Sequence, residues 1–184
     1  MRQPYQPFDI ASYVERSRNG PCFICEMLAG NPQYRHHIIY EDAAAVAFLN
    51  KYPMLYGYTL VAPKAHREQV TGDFPLDEYL GLQRVIYHAA EAIRQVVPTE
   101  RMYVLSLGSQ QGNRHVHWHI APLPPGVPYE EQQLEALTLS RGILELPDEE
   151  MAALAERIRQ ALAMKGDQQQ FIVYHYLSPR DLWY

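Results

Sequence analysis

Three histidines, His115, His117 and His119, take alternate positions in the stretch RHVHWHIAP, residues Arg114 to Pro122, with Val116, Trp118 and Ile120 at the remaining ones. The chain has eight histidines in 184 residues, so three inside five positions ask for a chemical use. In an extended strand successive side chains point to opposite faces, which gives the imidazoles one face and the apolar residues the other. Same-face neighbours then sit about 6.5–7 Å apart along the strand. A helix would scatter them, because residues two apart do not face each other there. Two chemistries use such a row. Neutral imidazole is a common metal ligand, and His-x-His on a strand can hold one zinc. Alternatively, one imidazole attacks phosphorus while its neighbours stabilise charge. Against both stands the plain reading of a polar strand face that is rich in histidine.

The two cysteines fall in Cys22-Phe23-Ile24-Cys25, a spacing that suits metal or redox chemistry better than a disulfide framework. The polar loop GSQQGN, residues 108–113, lies just before the histidine row, and backbone N–H groups around Gly108 and Gly112 can cradle an anion.

These residues need elements to hold them. HHIIYE and AVAFLN read as two strands joined by a turn, and YGYTLVAPK as a third that ends at Pro63. Tyr79, Leu82, Ile86, Ala89, Ile93 and Val96 recur in steps of three and four, so a helix runs from near Pro75 to before Pro98. RMYVLSL and HVHWHIAP complete five strands. The order points to an α+β domain on an antiparallel sheet. Residues 1–20 form a polar arm that wraps the surface, and residues 126–184 a helical extension and tail around the domain at 21–125. In the extension EEQQLEALTLS is a weak helix candidate. PDEEMAALAERIRQALAM is a strong one, with Met151, Leu154, Ile158 and Leu162 on one face. The end, GDQQQFIVYHYLSPRDLWY, reads as a late strand or a mobile segment packed by its aromatics.

Composition excludes several function classes. Formal net charge is -5, without the basic excess of a nucleic-acid or membrane surface. No window approaches the roughly 18 apolar residues of a membrane span, and the N-terminus has no apolar signal-peptide core. A cytoplasmic protein is expected.

HVHWHI, with its Gly/Ser/Gln loop before and a proline after, resembles the histidine triad (HIT) motif of nucleotide hydrolases and transferases. The resemblance extends upstream through CFIC and AVAFLNKYPMLYGYTLVAPKAH, over about residues 20–124. It implies a five-stranded antiparallel sheet with a long helix, homodimeric pairing, and cleavage at the α-phosphate of a nucleotide through a nucleotidyl-histidine. By position His117 becomes the nucleophile and His119 the phosphate contact. Similarity to the zinc-bearing branch implies one structural zinc per chain on Cys22, Cys25, His66 and His115. Two buried thiols are the alternative. Phe23, Ile24 and Phe48 correspond to base-contacting positions and Asn50 to a ribose contact, although Ile24 and Phe48 also suit a core and Asn50 a turn. The loop departs from the Gly-Gln-Ser/Thr of many relatives, leaving Ser109, Gln110, Gln111 or Asn113 to serve the phosphate and leaving group. His36, His37 and His88 read as solvated, strand-start or structural residues.

The leading expectation is hydrolysis of nucleoside phosphoanhydrides or phosphoramidates, such as dinucleoside polyphosphates. His119 stands where uridylyltransferases carry glutamine, which favours hydrolysis, while a nucleotidyl transferase or phosphorylase remains the alternative within the superfamily. A nucleotide-binding regulatory module with little turnover is another. A metallohydrolase using all three histidines leaves the CxxC unexplained.

Overall fold

Alternation decides the centre of the fold. In the computed structural model, which describes residues 5–107, 114–137 and 142–176, five strands form one antiparallel sheet. They are β2 (Ile38–Glu41), β3 (Ala45–Leu49), β4 (Thr59–Pro63), β5 (Arg101–Leu105) and β6 (Trp118–Leu123), in the order β2-β3-β4-β6-β5. A second, two-stranded sheet pairs β1 (Tyr5–Gln6) with β7 (Ile143–Leu144). The helices are α1 (Ile10–Asn19), α2 (Phe23–Leu28), α3 (Leu76–Val96), α4 (Gln132–Leu137) and α5 (Asp148–Tyr176).

Both faces of the central strands are covered, so β3 and β4 are buried at every position. Ala47, Leu49, Val61, Val116, Trp118 and Ile120 pack on one face against Leu82, Ile86 and Ile93 of α3 and Leu154 and Ile158 of α5. Val46, Phe48, Leu60, Ala62, Ala121 and Leu123 form the other core, with Ile24 and Met27 of α2. The expected apolar wall behind the histidines is therefore present. α5 is tied down by polar bonds as well. Arg157 donates to the Val96 carbonyl at the end of α3 (2.7 Å), where helix carbonyls lack intrahelical partners, and Arg159 to the Ile38 carbonyl (2.6 Å).

Three expectations need correction. β6 begins at Trp118, so Arg114 to His117 precede the strand instead of forming it. Pairing with β4 ends at Val61↔Trp118, and further along β4 Pro63 has no N–H to give. The Val116 N–H goes instead to the Arg67 carbonyl (2.7 Å). The expected strand or loose tail after residue 165 is a continuation of α5 to Tyr176. A nucleated helix extends cheaply, and the next proline is Pro179. The N-terminal arm is partly regular, in β1 and α1. Its pairing with β7 needs Gly142, which has a φ of +89° and whose Cβ would collide with the Gln6 backbone.

Candidate active site

His117, at the entry to β6, and His119, within it, point to the face opposite Trp118. Their ring centroids are 4.8 Å apart, closer than the backbone spacing because the rings lean together. The Nδ1–H of His117 donates to the His115 carbonyl at 2.8 Å. A carbonyl can only accept, so the proton lies on Nδ1 and Nε2 carries the lone pair. Ser106 donates its hydroxyl to the His117 carbonyl (2.9 Å), fixing the backbone beneath that ring.

His119 has a different partner. The hydroxyl of buried Tyr58 lies 3.2 Å from its Nδ1. Burial pushes the phenol pKa up, so Tyr58 keeps its proton. With Nδ1 of His119 turned to Tyr58, its Nε2 faces the cleft beside the lone pair of His117. Burial is the main cause lowering both imidazole pKa values. It takes His119 to about 3, with His117 as the second influence.

The two rings close one end of a cleft of about 310 Å³ that Phe23, His36, Asn50 and Leu60 also line. Phe23 meets His117 edge-on at 6.2 Å and His36 at 5.6 Å, and His36 meets Phe48 at 5.0 Å. The Asn50 side-chain oxygen accepts the Tyr52 N–H (3.0 Å), which shapes the turn after β3. Of the expected nucleoside residues, Phe23 and Asn50 reach the cleft. Ile24 and Phe48 are fully buried and support its wall from behind. Ser109, Gln110, Gln111 and Asn113 lie outside the described residues.

The site also contains residues that the sequence reading missed. His36, expected to be solvated or a strand start, is a half-buried part of the aromatic wall, with its pKa lowered mainly by burial. Tyr58 was legible in YGYTL, where it alternates with Leu60, and Leu60 pairs with His119. Tyr13 and Arg16 of α1 line the cleft without any signal in the sequence. His37 instead bonds Asp148 at the start of α5 (2.8 Å), and His88 lies on α3 with its ring against Tyr87.

His115 belongs to a neighbouring cluster. Cys22, Cys25, His66 and His115 bring one ligand atom each within 4.8 Å of one another. Cys22 caps α2, which turns both sulfurs the same way. Cys25 Sγ is 3.3 Å from His66 Nδ1, and His115 Nδ1 is 3.5 Å from Cys22 Sγ and 3.6 Å from Cys25 Sγ. A tetrahedral ion bound by two thiolates and two imidazoles has ligand–ligand edges of about 3.3–3.8 Å, so the four residues fit one. The Nε2–H of fully buried His115 donates to the Pro63 carbonyl (2.8 Å), leaving Nδ1 as the ligating nitrogen. Burial, and then Cys22 beside it, push the Cys25 thiol up to about 11, and a bound cation would favour the thiolate instead.

Comparison with known proteins places this geometry. The HIT domain family matches residues 31–125. An uncharacterized HIT-like protein of Mycobacterium tuberculosis is 30% identical over 148 residues, covering 79% of this chain and 95% of that protein. A hypothetical histidine triad nucleotide-binding protein from Sulfolobus tokodaii superposes with a TM-score of 0.62 at 26% identity, over 78% of this chain and 93% of that one. A zinc-bound histidine triad family protein from Mycobacterium smegmatis shares the fold with a TM-score of 0.63 at 23% identity, over 80% of this chain and 96% of the other. Among the described residues, no helix is long and apolar enough to cross a membrane.

Proposed function

Since this chain belongs to the HIT family, we propose that it hydrolyses nucleoside phosphoanhydrides or phosphoramidates at the α-phosphate, with His117 as nucleophile. The observation that carries this reading is the His117 hydrogen bond to the His115 carbonyl, which leaves Nε2 unprotonated with the His119 ring 4.8 Å away.

The Nε2 lone pair of His117 forms a bond to the α-phosphorus as the bond to the leaving group breaks. The bonding electrons depart with the leaving oxygen, or with the leaving nitrogen, which takes a proton from solvent and departs as the amine. His119 donates a hydrogen bond to a phosphate oxygen, and the His115 carbonyl faces the positive charge that develops on the His117 ring. Water then attacks phosphorus, the N–P bond breaks with its electrons returning to Nε2, and the proton that water loses passes to solvent. Catalysis rests on placement and electrostatics. Phe23 and the wall behind it take the base, and Asn50 takes the ribose. The loop residues Ser109, Gln110, Gln111 and Asn113 serve the leaving group.

A zinc ion on Cys22, Cys25, His66 and His115 supplies a structural tie. It joins the start of α2 and the end of β4 to the segment carrying the nucleophile, and it takes no part in bond breaking. The family's dimeric habit extends the reading to a homodimer. Brief mixing with a panel of dinucleoside polyphosphates and adenosine phosphoramidate, followed by intact-mass spectrometry, tests the chemistry. An acid-labile nucleotidyl adduct on the native protein, absent from His117→Ala and His117→Gly, is the expected result. Neither adduct nor product from folded, zinc-loaded protein would overturn it and favour a binding module.

A further inference from the structure

The cleft carries a charge pattern that cleavage at the α-phosphate does not use. No carboxylate lines it among the described residues, although the whole chain has a formal charge of -5. Arg16 and Lys51 line it, and neither forms an ion pair among the described residues. Asp9 shares the arm with Arg16, but both its oxygens are engaged by Ser12, at 3.0 and 2.6 Å.

The two cations come from elements that pack on each other. Lys51 follows Asn50 in the turn after β3. Arg16 comes from α1, whose Tyr13 ring packs on Tyr52 at 6.0 Å, with Phe8 against both. Arg16 is three residues beyond Tyr13 and so shares its helix face. The position of α1 over this turn is set by further bonds. Leu144 donates its N–H to the Pro53 carbonyl (2.8 Å), and Tyr5 its hydroxyl to the Met54 carbonyl (2.8 Å).

Asn50 adds a polarity that matters. Its oxygen accepts the Tyr52 N–H, which leaves it one lone pair beside the Nδ2 amide donor to offer a ligand. Two free ribose hydroxyls are best met by a carboxylate, which accepts from both. Here a neutral amide and two cations stand instead. In dinucleotide-binding folds the same contrast, acid against arginine, separates a free 2′-hydroxyl from a 2′-phosphate.

We propose that the cleft takes a nucleotide carrying a second phosphate on its ribose, at the 2′ or 3′ oxygen, held by Arg16, Lys51 and the Asn50 amide while the 5′-phosphate faces His117 and His119. This rests on the nucleotide reading above and narrows its substrate class.

Calorimetry on the full zinc-loaded chain tests it with adenosine 5′-monophosphate, adenosine 2′,5′-bisphosphate, adenosine 3′,5′-bisphosphate and the three uridine counterparts. One bisphosphate should bind at least about tenfold tighter than its monophosphate, as expected for new charge-assisted hydrogen bonds. Which one does so identifies the 2′ or 3′ position. The double variant Arg16→Gln/Lys51→Gln should abolish that preference, and Asn50→Asp should reverse it. Arg94→Gln, on the outer surface of α3, should leave it intact. Monophosphates binding as tightly as every bisphosphate would overturn the proposal and leave the nucleotide reading standing. A preference that survives the double variant would overturn it too. Folded protein that binds none of the six would overturn the nucleotide reading and this proposal together.

Discussion

The hydroxyl of Tyr58 and Nδ1 of His119 stand 3.2 Å apart, and this pair decides which nitrogen of His119 faces the cleft. Tyr58→Phe keeps the buried ring and removes the hydroxyl that partners Nδ1. On the proposed mechanism kcat should fall about 10–100-fold, the range found when the partner that orients a metal-bound imidazole is lost. KM should change by less than about twofold, because Tyr58 touches no substrate. Steady-state kinetics on the best substrate of the mass-spectrometric panel provides the check, and an unchanged kcat would remove Tyr58 from the mechanism.

Elemental analysis should find one zinc per chain. Removing it should lower the melting temperature by about 10 °C, since a ligand present at a thousand times its Kd contributes about 4 kcal/mol. Cys25→Ser should reproduce that loss. Adding magnesium or manganese to the loaded protein should not raise its turnover. Turnover that needs an added divalent ion would turn the reading towards a catalytic metal on the histidines.

The hairpin between β2 and β3 gives a test in pH. Asp42 accepts the N–H groups of Ala44 (2.8 Å) and Ala45 (2.7 Å) and the Tyr40 hydroxyl (2.8 Å). Burial acts to raise its pKa, but these hydrogen bonds, with Lys64 nearby, hold it below the ordinary value. A carboxylate whose folded pKa is lowered stabilises the fold above its unfolded pKa, and that contribution disappears as pH falls through the folded value. The melting-temperature gap between native protein and Asp42→Ala should therefore be full at pH 7 and shrink in strong acid. A gap independent of pH would show that the charge contributes nothing.

Ile158 is fully buried against α3 and the sheet. Ile158→Ala should cost about 2–5 kcal/mol in urea unfolding, within the range for truncating a core aliphatic residue. Leu162, packed at the margin of the same core, should cost less. Equal, small losses at both would mean that α5 lies on the domain without sharing its core.

Local patterns were legible in the sequence and long-range docking was not. Val116, Trp118 and Ile120 alternate, and that was enough to place their wall and the opposite facing of His117 and His119. The metal cluster could be expected because cysteine and histidine at Cys22, Cys25, His66 and His115 match a family pattern residue by residue. The start of β6 was set three residues too early, because the break depends on Pro63, a residue of the partner strand. His36 reaches the cleft only through the pairing of Ile38 with Phe48, which no local pattern encodes. Arg16 depends on where α1 docks. For FIVYHY, β-branched composition suggested a strand, and extension of a well-started helix outweighed it.

The pairing of Tyr5 with Leu144 has a consequence for the order of assembly. The five strands of the main sheet, His117 and His119 are synthesised before residue 143 exists. The partner strand that seats the N-terminal arm leaves the ribosome after them, so Tyr5 and Gln6, made before the sheet, reach their place after it can form. The face carrying His117 and His119 can thus form on a nascent chain while Arg16 is not yet seated over the cleft.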